Sequence, residues 1–188
     1  KCVWAGIALK KILIAGEAGQ TTNYENALAA MQVHFVTSLQ VKDVDEYDGL
    51  LLPGGGDVDP KLFGQLLIPE TEIRQYSRWE QQLIRQGQEK LTPELARNQL
   101  AILKAFCQYR KPVFGICKGM QLINIAFGGD MLRHLPTAVH HAYREKDQMH
   151  PARNEVNSFL YEVYGSDMLV NSAHHQGVGI PGRGIRYV

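Results

Sequence analysis

The chain has 188 residues, 45% hydrophobic and 21% charged, with a net charge of +1, the profile of a single soluble domain. No basic surplus points to nucleic acid, and the early apolar run over residues 2–9 is far too short for a membrane span and lacks a cleavage site after it. Cys2, Cys107 and Cys117 are odd in number and show no C-x-x-C spacing, which argues against a disulfide framework or zinc cluster and for reduced thiols in a cytoplasmic protein.

In chain order, a ten-residue lead of unassigned character precedes residues 11–16 (K-I-L-I-A-G), which read as a first buried strand. Residues 23–31 place Tyr24, Ala27, Leu28 and Met31 at helical spacing. Residues 33–36 give a second strand. Residues 49–52 give a third, which ends at once in Pro53-Gly54-Gly55-Gly56-Asp57. Residues 74–90 read as a helix whose Gln and Arg mark a solvated face. Residues 94–109 read as a clearer helix after Thr92-Pro93, with Leu95, Leu100, Ile102, Leu103 and Phe106 for its buried side and Cys107 as a small hydrophobe among them. Strands alternating with helices in this way predict a parallel α/β sheet.

Residues 111–129 (K-P-V-F-G-I-C-K-G-M-Q-L-I-N-I-A-F-G-G) set the chemistry. Residues 113–116 read as a buried strand and 120–127 as an apolar helix packed on the sheet, so Cys117 falls on the turn between them. Gly115 and Gly119 stand two positions either side, the thiol counterpart of a nucleophile elbow. At the carboxyl ends of parallel strands the glycine loop and the elbow are expected to meet. A thiolate attacking an acyl carbon creates an oxyanion that backbone N–H groups must hold. The N–H of Lys118 is one candidate donor, and that of Gly55 or Gly56 the other. A plain turn is the alternative for the glycines; a phosphate cradle lacks its Lys-[Ser/Thr]. His140, His141 and His150 match no common zinc spacing and read as loop residues, and Asp57 and Asp59 as turn caps before Pro60. No metal or cofactor is called for.

Residues 50–60 (L-L-L-P-G-G-G-D-V-D-P), 115–124 (G-I-C-K-G-M-Q-L-I-N) with Gly128-Gly129, and 171–176 (N-S-A-H-H-Q) resemble the class I glutamine amidotransferase-like family. The resemblance is nearest to the gamma-glutamyl-gamma-aminobutyrate hydrolase branch, peptidase family C26. It implies a flavodoxin-like, doubly wound, mostly parallel sheet with helices on both faces. It also implies Cys117 as nucleophile, an oxyanion hole from the glycine loop and Lys118, and Gln121 at the glutamyl end of the substrate. Ser172, His174 and His175 line the substrate region in this reading, a base role for His174 or His175 being the lesser alternative. The family also carries a His-Pro-Glu motif on a late strand, downstream of the N-S-x-H-H-Q block. None precedes Val188, and His150-Pro151 matches in neither sequence nor order. The expectation is therefore a single domain over residues 1–188 lacking that strand.

Three functions follow. One is a hydrolase of small gamma-glutamyl amides, working alone or as a homodimer. Another is a glutaminase subunit feeding ammonia to a synthase. The third is an inactive glutamyl-binding domain. None involves nucleic acid or a membrane.

Overall fold

The computed structural model describes residues 10–187. In chain order these carry β1 (Lys11–Ile14), α1 (Thr22–Ala30), β2 (His34–Thr37), β3 (Gly49–Leu52), α2 (Glu70–Ile73), α3 (Arg78–Glu89), α4 (Pro93–Gln108), β4 (Val113–Gly115), α5 (Lys118–Ala126), β5 (Met131–Leu132), β6 (Gln148–Arg153), α6 (Phe159–Tyr164), β7 (Asp167–Ser172) and β8 (Gly177–Val178). The chain divides into two compact units. The first runs through Gly55 and resumes over Pro93–Ile123; the second takes Gly56–Thr92 and the chain from Asn124 onward. Of the lead, only Lys10 is described; Cys2 lies outside the described residues.

The first unit is built on a parallel sheet of order β2-β1-β3-β4. All four residues of β3 are buried, which explains its unbroken apolar run: an inner parallel strand needs apolar side chains on both faces. Leu13, Ala15, Leu50 and Leu52 from the sheet meet Ile102, Leu103 and Phe106 of α4 and Val44 and Tyr47 from the turn before β3. This mostly parallel sheet with its helices is the expected flavodoxin-like α/β class.

Three details differ from expectation. Helix α1 buries no residue, and Met31 just beyond it is 72% exposed, so its apolar spacing marks a shallow contact. On α4 the inward face is Ala96, Gln99, Ile102, Leu103 and Phe106, which turns Cys107 to solvent. Buried Gln99 is held by donating its amide to the Ala15 carbonyl at 2.8 Å. Met120 and Phe127, expected in the core, are exposed beside fully buried Leu122.

In the second unit the helix expected over residues 74–90 starts four residues late, as α3 (Arg78–Glu89), after a turn over residues 74–77. Ser77 caps α3 in a capping box with Glu80, which satisfies the first-turn N–H groups and ends α2 and its following turn upstream. Ile68, Ile73 and Ile84 pack together with Tyr76 against them. Strand β7 pairs antiparallel with β6. Pro151 is tolerated in β6 because a two-stranded ribbon has only edge strands.

Asn124, 1% exposed, ties this unit together. Its amide donates to the carbonyls of Asp130 at 3.0 Å and Ile180 at 3.3 Å, and its side-chain oxygen accepts from Gly182 N–H at 2.8 Å. Replacing it by leucine keeps the size and strands these backbone groups, each unmet buried partner costing about 1–3 kcal/mol. Asn124→Leu is expected to lower the unfolding free energy by about 2–4 kcal/mol in urea titrations. A midpoint equal to wild type would show that the turn does not depend on this side chain.

Candidate active site

Cys117 sits on the turn from β4 into α5, in the left-handed region at φ +51°, which costs a residue with a Cβ about 1–2 kcal/mol. The flanking glycines make the turn sterically feasible. A Cβ on Gly115 would lie 2.6 Å from the Gly119 carbonyl carbon, and one on Gly119 would lie 2.1 Å from the Leu52 carbonyl oxygen. Ile116 N–H donates to that same oxygen at 3.0 Å. Cys117 is exposed, and it directly precedes the first turn of α5, where the helix dipole favours negative charge. Gln121, buried at 4% exposure, donates its N–H to the Cys117 carbonyl at 3.1 Å.

The glycine loop meets the elbow within the first unit. Gly54 comes so close that a Cβ there would stand 3.4 Å from Cys117 Cβ. Its N–H is taken by the Tyr24 hydroxyl at 2.8 Å. A Cβ on Gly55 would lie 3.3 Å from Lys118 Cδ, which places Gly55 beside the residue after the nucleophile. Gly55, Cys117, Lys118 and Gln121 are thus brought together. Gly56, exposed, is the first residue of the second unit.

Ser172, His174 and His175 belong to the second unit. The Ser172 hydroxyl bonds His150 Nε2 at 2.6 Å. His174 Nδ1 meets the Gln176 carbonyl at 2.8 Å, and its ring stacks on His141 at 5.4 Å. His175 Nε2 reaches Asp57 Oδ2 at 2.7 Å. Gln176 then grips Val58 at both backbone groups, accepting from its N–H at 2.7 Å and donating to its carbonyl at 3.2 Å. The block therefore clasps the segment directly following the three glycines. Asp59 does cap the turn at Pro60, accepting from Lys61 N–H at 3.0 Å. Asp57 does not; it is the partner of His175.

Sequence reasoning missed Tyr24, Glu80 and His134. His134 Nδ1 lies 3.0 Å from His175 Nδ1, and its Nε2 lies 3.2 Å from Glu80 Oε1. Burial pushes His134 below the ordinary histidine value while Glu80 pulls it up. The Ser77 hydroxyl, with His134, holds the Glu80 carboxyl below its usual range. His141, expected on a loop, stands between His174 and the edge of His150 at 4.6 Å, its Nδ1 buried without a partner. Among the described residues no group of His, Cys, Asp and Glu is arranged to hold a metal ion, and no helix is long and apolar enough to cross a membrane.

With the elbow and clasp in view, the relationships are specific. Residues 79–188 match the family described as Peptidase C26. The chain belongs to the Peptidase C26 family. Protein NtpR of Enterococcus hirae is 29% identical over 146 residues, covering 72% of this chain and 52% of NtpR. The glutamine amidotransferase-like protein YvdE of Lactococcus lactis subsp. lactis is 30% identical over 147 residues, covering 73% and 53%. The chain thus spans about half the length of these curated relatives. A glutamine amidotransferase of Thermotoga maritima superposes with a TM-score of 0.60 at 12% identity, over 96% of this chain and 67% of that one. A glutamine amidotransferase of Methylobacillus flagellatus gives 0.54 at 17%, over 94% and 59%. The Peptidase C26 chain therefore carries the class I glutamine amidotransferase fold.

His141 makes the stability of this Peptidase C26 chain depend on pH. Burial, with His150 and His174 nearby, depresses its pKa in the folded state, so the unfolded chain binds the proton more readily. Stability is then fully present above about pH 6.5 and falls as pH drops from there toward the lowered folded value. Urea titrations between pH 8 and pH 5 are expected to show that decline, and a shallower one for His141→Phe; equal slopes would remove His141 as its source.

Proposed function

We propose that this chain carries the nucleophilic half of a cysteine hydrolase acting on gamma-glutamyl amides, with gamma-glutamyl-gamma-aminobutyrate or a related small compound as substrate. The observation that carries the reading is Cys117 at φ +51° ahead of α5 with Gly54 and Gly55 packed against the elbow. The Cys117 thiolate attacks the amide carbonyl carbon, and the oxygen takes up the electron pair. With the Gly54 N–H bound to Tyr24, the donors assigned to that oxyanion are Gly55 and Lys118 N–H, with Gly56 next along the loop. Collapse breaks the C–N bond, and the proton given up by the thiol ends on the departing amine. Water then cleaves the gamma-glutamyl thioester to glutamate and restores the thiol. Gln121 is assigned to the glutamyl end. Among the second-unit residues His175 holds Asp57 of the loop segment, Ser172 bonds His150 and His174 meets the Gln176 carbonyl, and neither histidine is proposed as the base.

A second reading is favoured by the names of the related proteins, several of which are glutamine amidotransferases. In it the amide is glutamine itself and the leaving group is ammonia destined for a partner synthase. Incubating the chain with each amide in the presence of hydroxylamine traps the acyl group as a hydroxamate and separates the two by substrate preference. Cys117→Ala is expected to reduce product by about 10³-fold or more. Equal product from wild type and Cys117→Ala would sink both and leave a glutamyl-binding domain. Independently of turnover, Cys117→Gly is expected to be about 1 kcal/mol more stable than Cys117→Ala, because glycine accepts the left-handed backbone that alanine resists.

A further inference from the structure

Four side chains of the second unit form a continuous line: Asp57, His175, His134 and Glu80. The contacts are 2.7 Å from Asp57 Oδ2 to His175 Nε2, 3.0 Å between the two Nδ1 atoms, and 3.2 Å from His134 Nε2 to Glu80 Oε1. The histidine side chains are nearly dry, at 2% and 5% exposure for His134 and His175, so water does not complete these bonds. Each contact needs one hydrogen. Carboxylates supply none, and two neutral imidazoles supply two between them.

We infer that His134 and His175 together hold three ring protons, one more than two neutral imidazoles carry, and that Glu80 and His134 thereby act as positioning residues for the loop segment beginning at Asp57. The outer protons sit on the two Nε2 atoms and point to Asp57 and Glu80. The third is shared by the two Nδ1 atoms. Burial and the neighbouring His175 by themselves disfavour a charge on His134; the hydrogen count of the three contacts argues the other way, with the single positive charge lying between two carboxylates that offset its burial. Removing that proton leaves one contact of the three without a hydrogen. Adding a fourth puts N–H on both Nδ1 atoms and breaks the central bond.

The surroundings fit this count. Asp57, from the loop after β3, and Glu80, from α3, are the charged groups facing the pair. Tyr76, after α2, presents its ring to His134 at 4.8 Å. The neighbouring Arg133 turns to Glu72 at 3.3 Å and brings no cation to the pair. Helix α3 is shaped for the line: Glu80, Ile84 and Gly87 share a face by helical spacing, and a Cβ on Gly87 would fall 2.0 Å from Asp57 Oδ2. Asp57 lies two residues along the chain from Gly55, so what the line fixes is the continuation of the proposed oxyanion loop.

The test is a proton count. In the full chain labelled with ¹⁵N-histidine, long-range ¹H–¹⁵N spectra at pH 7 are expected to show three ring N–H groups for His134 and His175 together. Glu80→Gln removes the charge while keeping the cap on α3, since glutamine serves a capping box as glutamate does, and is expected to lower the count to two. A count of two in wild type, or of three in both proteins, overturns the inference. The positioning claim rests on the proposed function and is read separately: Glu80→Gln should cost up to about 100-fold in Cys117-dependent kcat/KM and alter its pH profile. A lowered count with unchanged kcat/KM overturns the positioning role. Absence of any Cys117-dependent turnover strikes the proposed function instead, and the proton count still decides the shared charge.

Discussion

The Leu52 carbonyl oxygen sets the closest tolerance in the first unit. It ends the innermost buried strand, accepts the Ile116 N–H, and leaves no room for a side chain at position 119. Strand β4 and helix α5 can therefore join only through a turn that presses glycine against β3, and the residue at its apex is driven into the left-handed region. The exposure of Cys117 follows from that crowding. The sulfur is held out because everything around it is too close to hold it in.

In the second unit buried polar side chains hold the turns, alongside the small apolar cluster of Ile68, Ile73 and Ile84. Asn124 serves three backbone groups, Gln176 serves both groups of Val58, and His175 serves Asp57. Such bonds add modest net stability when made and are costly when left unmade, so they select one conformation of each turn more than they deepen the fold. Turns are where that selectivity is needed, because residues 54–58 must hold a backbone shape that no regular ladder imposes.

This division explains what could be read from the sequence. β3 and the elbow were legible because their signals are local: an unbroken apolar run, and glycines at fixed offsets from a cysteine. The phase of α4 was harder, since Phe106 and Cys107 differ by one step of about 100° around the helix, and apolar character does not say which of two neighbours faces inward. Gln99 and Asn124 were hidden as polar residues inside apolar helices. β6 was hidden because its partner among the described residues, β7, comes later in the chain and a proline interrupts it. The Ser77 to Glu80 spacing, which marks the start of α3, is a local signal that the helix expected from residue 74 overlooks. Nothing local announced that Glu80 has a second partner in His134, because that pairing exists only once the chain has folded back over 54 residues.

Strand β4 has a bearing on how the protein behaves at high concentration. Among the described residues it pairs with β3 alone, and its Phe114 is 60% exposed. An apolar open edge is a template for strand addition between molecules. Arg110, Lys111 and Pro112 stand immediately before it, two like charges and a residue that cannot donate to a ladder, which is the arrangement that discourages such growth. The stretch leading into the nucleophile therefore carries sequence features that oppose strand addition, although Lys111 is itself paired with Asp45 at 3.5 Å.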